Sequence, residues 1–347
     1  MKSFIRAVMA LILVSTILLL SDLQNRSRMR LIPKTGGHSY SRDGKIIKLV
    51  LVQYVDSPNS EECERGLRKA LDEANLKENT DFTFKVYNAQ GDISTLNSIA
   101  GTVGNEKWDL VFSGSTPTIQ LLSKKLVSQN IVFTNVGDPV AAGLGKSFAD
   151  HLPNLTGIST MSDFEGLIDM VLKLQPVIKN IGTVFTPAEI NSVIYKDHLS
   201  DAAKKRGLVL IAAPASNATE IIDAANSLVA QGIDAFCQIS DNMTGSAGSS
   251  IQKVSHDRKI PYYGFVTSQI DRAVAVCARD YFQAGYDAGK MGLEVLAGRN
   301  PATIPFQNVA KTDYLLNEDA ARFFGISVPE KILTLIPQLV IKNKEYK

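Results

Sequence analysis

Cysteine is scarce in this chain of 347 residues. There are three, Cys63, Cys237 and Cys277, with no C-x-x-C spacing. That argues against a zinc site or a dithiol redox pair; the odd count leaves at least one thiol unpaired in a monomer, and whether Cys237 and Cys277 are bonded stays open. Histidine is nearly as rare. His38, His151, His198 and His256 show no H-E-x-x-H spacing, and no G-x-S-x-G nucleophile elbow occurs. Charge of one sign is also missing, since 37 Lys and Arg against 35 Asp and Glu leave a net +2. Nothing in charge alone therefore suggests a nucleic-acid partner. The stretch Val140–Ser147, VAAGLGKS, ends like a phosphate-binding loop but carries Val140 where the first glycine is needed. These absences lead to the expectation of no enzyme chemistry, no metal and no cofactor.

Long apolar runs are confined to the N-terminus. MKSFIRAVMALILVSTILLL places Lys2 and Arg6 before an apolar run from Ala7 to Leu20. This is the charged start and apolar length of a secretory signal, so residues 1–21 read as a signal peptide or an uncleaved signal anchor. Arg26, Arg28 and Arg30 follow without an A-x-A cleavage site. Residues 22–45 are polar, basic and without period, and read as a flexible tether. An exported protein is expected, periplasmic or otherwise extracytoplasmic, either freed or held by its N-terminus.

Over the whole chain, 45% hydrophobic content and 21% charge describe a globular protein large enough for one large or two medium domains, and the globular pattern begins at Ile46. Short apolar runs alternate with amphipathic ones. IIKLVLV, DFTFKVYNA, WDLVFSG and NIVFTNV read as strands in the first half. NIGTVFT, LVLIAAPA, IDAFCQISD, IPYYGFV and AVAVCARD do so in the second. Between the first two, Cys63, Leu67, Ala70, Leu71 and Ala74 recur at helical spacing. Nearly all-apolar strands separated by helices mean βαβ units, with parallel sheets covered on both faces. About nine strands exceed one compact sheet of typical size, so two α/β halves fit better. The first half ends near HLPNLTGIST, a turn-rich cluster able to carry the chain across.

Open parallel sheets bind ligands beyond the carboxyl ends of their strands. Those ends are polar throughout: Gln53, Tyr54, Asp56 and Ser57; Ser113, Ser115 and Thr116; Asn135, Gly137 and Asp138; Glu189, Asn191 and Ser192; Ser240, Asp241 and Asn242. Ser57-Pro58 and Thr116-Pro117 put a hydroxyl at a helix N-cap and proline at the first helical position. Such helix starts expose backbone N–H groups and suit a small anionic group such as a carboxylate. Asn191-Ser192 reads as another start of this kind. Asp138 and Asp241 would then face an ammonium or sugar hydroxyls. Taken singly, each Ser or Thr is first a cap, and Asp138 before Pro139 is first a turn residue.

The ordered series LVLVQYVDSPNSEECERGLRKAL, DLVFSGSTPTIQLL, IVFTNVGDPVAAGL with NLTGIS, LQPVIKNIGTVFTPAEINSV, QISDN, DYFQAGYDAGKMGLEVLAGRNPATIPFQ and LNEDAARFFGISVPEKIL spans Ile46 to about Ile341. It resembles the substrate-binding proteins of ABC transporters, of the tryptophan-binding, type I periplasmic-binding-protein kind. The resemblance implies two Rossmann-like lobes with parallel sheets flanked by helices, joined by three hinge crossovers and closing like a clam shell on a small ligand. It implies an N-terminal lobe of 46–157 plus about 276–308 and a C-terminal lobe of 158–275 plus about 309–341. In that family the ligand, where known, is often an aromatic amino acid. Carried over, Ser115 and Thr116 take the carboxylate and Asp241 or Asp138 the ammonium, while Gln53, Tyr54 and Phe265 meet the side-chain end. The implied protein is a monomeric receptor that passes its ligand to a membrane permease; a membrane-anchored sensor of the same fold is the alternative. Gly137 departs from the hydroxyl or larger residue of many relatives, which would alter ligand size.

Overall fold

A computed structural model describes residues 45–335 and 340–341, so the N-terminal leader and almost all of the tether lie outside the described residues. In chain order the elements are β1 (Ile47–Gln53), α1 (Pro58–Glu73), β2 (Phe82–Asn88), α2 (Ile93–Asn105), β3 (Leu110–Gly114), α3 (Thr116–Lys125), β4 (Ile131–Val136) and β5 (Leu155–Ser159). They continue with α4 (Phe164–Leu174), β6 (Asn180–Phe185), α5 (Ile190–Lys205), β7 (Val209–Pro214), α6 (Ile221–Ala230), β8 (Ala235–Gln238), α7 (Asn242–Ser246), α8 (Gly248–Arg258) and β9 (Tyr262–Gly264). The chain closes with β10 (Ala275–Arg279), α9 (Tyr281–Leu296), β11 (Gln307–Asn308), β12 (Thr312–Asn317), α10 (Glu318–Phe323), α11 (Glu330–Leu335) and β13 (Val340–Ile341).

Two sheets result. The first runs β2-β1-β3-β4-β5-β11 and is parallel throughout. The second runs β7-β6-β8-β9-β10-β12-β13, and only its β10–β12 pair is antiparallel. Central strands are buried along almost their whole length, as in β3 and β5, because helices cover both faces. The edge strand β2 instead alternates buried Phe82 and Phe84 with exposed neighbours. One core cluster fills the first sheet's side around Val50, Val111, Leu122 and Phe133. The half-buried Trp108, the one tryptophan of the chain, packs on that cluster and donates its indole N–H to the Val103 carbonyl at 3.2 Å. Two further clusters fill the second sheet's two faces.

The segment read as a turn-rich crossing, HLPNLTGIST, contains β5, a full member of the first sheet. Gly157 explains both its place and its poor apolar signal. A Cβ there would sit 2.7 Å from Phe133 Cδ1 and closer still to the Phe133 carbonyl oxygen, so the strand needs a residue without a side chain. The chain leaves for the second sheet only after Ser159. It returns after β10, which pairs with β9; the expected boundary near 276 therefore falls inside a strand of the second sheet. It crosses a third time between β11 and β12. Arg279 ties the three crossings together: Nε donates to the Met161 carbonyl at 2.6 Å and the guanidinium also bonds Thr312. Lys311 bonds Asp280 at 3.0 Å beside it. The three cysteines are free and buried, and burial raises the Cys63 thiol to about 12.

Candidate functional site

The carboxyl ends of β1, β3 and β4 face those of β6, β8 and β9 across a cleft. The cleft is open to solvent, and about 400 Å³ of space lies within it when that open mouth is counted. Ser57, Pro58, Asn59, Thr116 and Asn135 line it from the first lobe. Asn191, Tyr195, Ser240, Asp241, Asn242, Gly245 and Val266 line it from the second.

The first-lobe wall is built from helix starts. Ser57 caps α1, accepting from the Ser60 amide at 3.2 Å, and the Ser60 hydroxyl accepts from the Ser57 amide at 2.8 Å. Pro58 at the first helical position leaves the Asn59 amide at the lip. At α3 the cap is Ser115, one residue earlier than the sequence reading, so Thr116 is the first helical residue. Ser115 does not cap through its side chain, and its hydroxyl pairs with Thr118 at 3.1 Å. Its backbone, at φ 96° and ψ 157°, occupies a region that glycine alone enters freely. Asn135, at φ 56°, sits where the β4–β5 register breaks between Phe133 and Val136. Bulges of this kind re-aim side chains beside functional sites. The stop signals after Phe133 thus turn Asn135 toward the cleft.

The second-lobe wall is acidic. Asp241 caps α7, accepting from the Thr244 amide at 2.6 Å, and receives the Ser192 hydroxyl at 2.5 Å. Glu189, at the start of α5, accepts from the Asn242 side-chain amide at 2.6 Å and backbone amide at 3.2 Å. It also accepts from Met243 N at 3.3 Å and Asn191 Nδ2 at 3.2 Å. Each carboxylate therefore reaches to the start of the other's helix. Both are buried, and among the described residues neither has a lysine, arginine or histidine partner. Burial, then the charge of Asp241, lifts the Glu189 carboxyl from 4.5 to about 7. Burial also raises Asp241 above the usual carboxylate range. Buried Asn191 Oδ1 and Ser240 Oγ have no protein partner. A wall with two uncompensated carboxyls and open acceptors is suited to a cation carrying several N–H donors.

Of the residues named from sequence, Ser57, Thr116, Asn135, Asn191, Asp241 and Asn242 line the cleft. Gln53, Ser113, Ser115 and Ser192 lie buried beneath them. Tyr54 donates its hydroxyl to the Gly91 carbonyl at 2.7 Å, and its pKa is raised by burial and by the Glu189 charge. Two residues fall elsewhere. Asp138 Oδ1 accepts from Val140 N and Ala141 N, both at 2.9 Å, and is spent on a turn. Phe265 is 1% exposed and packs edge-on to Phe164 at 5.0 Å in the core; its neighbour Val266 reaches the cleft. Sequence reasoning noted Glu189 as a strand-end residue without assigning it to the ligand, and it missed Asn59 and Tyr195. An acidic residue directly before a helix at a strand end, mirrored by Asp241, was the available signal for Glu189. Tyr195 sits a full turn inside α5 and carries no such signal.

Residues 48–340 match the family described as ABC transporter substrate binding protein. The tyrosine-binding protein of Clostridioides difficile (strain R20291) is 32% identical over 271 residues, 78% of each chain. A Streptococcus pneumoniae ABC domain in complex with L-Trp superposes with a TM-score of 0.81 at 24% identity, over 86% of this chain and 100% of that one. A ligand-free, open substrate binding protein with adhesive properties from Clostridium difficile superposes with a TM-score of 0.66 at 28% identity, with the same coverage. The chain belongs to the ABC transporter substrate-binding protein family.

Proposed function

We propose that this protein captures an amino acid, with an aromatic one favoured, in the interlobe cleft and delivers it to an ABC importer outside the cytoplasm. The observation that carries the reading is the opposed polarity of the two walls. The first lobe offers the N-termini of α1 and α3, with partial positive charge and free first-turn amides. The second offers Glu189 and Asp241, buried and without a cation. A zwitterion matches both walls at once, its carboxylate toward Thr116 and Asn59 and its ammonium toward the acid pair. A neutral sugar would leave the acid pair uncompensated. The relatives named for tyrosine and tryptophan support the amino-acid class. Closure of the lobes around the ligand is a population shift driven by its tighter binding to the closed form.

The reading is tested by calorimetric titration of the chain with L-tyrosine, L-tryptophan and other amino acids, with hexoses and nucleosides as controls. Asp241→Asn is expected to lower amino-acid affinity by about ten- to a hundredfold, since a charge-assisted hydrogen bond contributes about 1.5–3 kcal/mol. Affinity unchanged in that variant, or heat only with a sugar or nucleoside, overturns the zwitterion assignment.

A further inference from the structure

Gly137 and Tyr195 belong to opposite lobes and meet at the cleft. Gly137 follows β4, and its carbonyl accepts the Ser159 hydroxyl at 2.6 Å, which fixes the backbone there. Tyr195 projects from the second turn of α5. A Cβ at 137 would lie 2.6 Å from Tyr195 Cζ and nearer still to its hydroxyl oxygen, so no side chain fits while the tyrosine is in place. The tyrosine has little room to withdraw. It is 7% exposed, its ring lies 5.9 Å from that of Phe164, and it is part of the second-lobe core. Among the cleft-lining groups only Pro58, Tyr195 and Val266 offer sizeable apolar surface, and Tyr195 alone is aromatic.

We propose that Tyr195 is a specificity-determining residue: its phenol ring closes the cavity by seating in the notch left by Gly137 and limits the size of the ligand side chain. This rests on the amino-acid reading. The ring gives an aromatic or aliphatic side chain a flat apolar wall, and the notch lets the second lobe approach far enough to shut it in. A side chain at 137 would hold the lobes apart by the thickness of a methyl group, which the rigid packing around Phe164 does not absorb.

A double-mutant cycle tests this, with L-tyrosine and L-tryptophan as titrants. Gly137→Ala is expected to weaken binding about tenfold or more, whereas adding Ala at 137 to Tyr195→Ala costs almost nothing, because the obstruction is gone. Independent, additive losses overturn the proposal, as does full affinity in Gly137→Ala. Should Gly137→Ala fail to fold, Tyr195→Leu decides. It is expected to shift the affinity ratio toward the larger L-tryptophan, and an unchanged ratio overturns the size role. If the wild-type chain gives no heat with any amino acid, the amino-acid reading fails by itself. The seating of Tyr195 is then judged from spin-label distances between the lobes of the free protein. A short-distance population lost in Gly137→Ala supports it, and identical distributions overturn it.

Discussion

Glu189 shows how much chemistry one buried side chain concentrates. With its carboxyl raised from 4.5 to about 7, the folded state holds a proton that the unfolded chain has already released in that interval. The stability this group contributes is therefore fully present below 4.5 and is lost as pH rises through about 7. Melting of the ligand-free protein between about pH 5 and 8 should show this as a decline that Glu189→Gln removes. An ammonium ligand acts in the opposite sense, because it favours the ionised pair and displaces the proton. Amino-acid affinity is expected to rise with pH, by up to about tenfold per unit, and to level off above about 7. Titration in buffers of different ionisation enthalpy would register the released proton, and a pH-independent affinity would contradict the scheme. Little of this was legible beforehand: Asp241 was marked by its place after an apolar run, but burial and mutual repulsion of two carboxyls arise only when α5 and α7 begin side by side. Ser115 illustrates the same limit, since the sequence points to Thr116 before Pro117 as the cap and gives no sign of the glycine-like backbone that the fold sets at Ser115.

At the scale of elements, the alternation of apolar strands and amphipathic helices was readable because parallel sheets bury both faces and so demand continuous apolar runs. β5 was not, since its Thr, Gly and Ser are dictated by the neighbour Phe133 rather than by strand propensity. Glycine carries a related message where α1 crosses α9. A Cβ at Gly66 would lie 2.6 Å from Tyr286 N and nearer to the Phe282 carbonyl oxygen. A Cβ at Gly285 would lie 2.6 Å from the Cys63 carbonyl carbon and nearer to its oxygen. The helices touch backbone to backbone, which couples the start of α1 at the cleft to the segment returning from β10. Gly285→Ala should therefore destabilise the protein by about 1–3 kcal/mol or more, read as a lowered urea midpoint, because backbone atoms cannot move aside as a side-chain tip can. A midpoint equal to wild type would mean that the helices separate at little cost.

For the molecule as a whole, the two-lobed plan and the polar rim of strand ends follow from counting apolar runs and asking what lies past each. The closeness of the lobes does not, because it depends on pairs such as Gly137 and Tyr195 that sit 58 positions apart in the chain. Arg279 and Lys311 bind the three crossings between the lobes to one another. The single tryptophan gives this division an optical signature. Trp108 is packed wholly within the first lobe, so its emission on denaturation is a dedicated gauge of that lobe, while circular dichroism averages both. Coincident transitions would show that the crossings weld the lobes into one cooperative unit, and an offset would show that the second lobe melts on its own schedule.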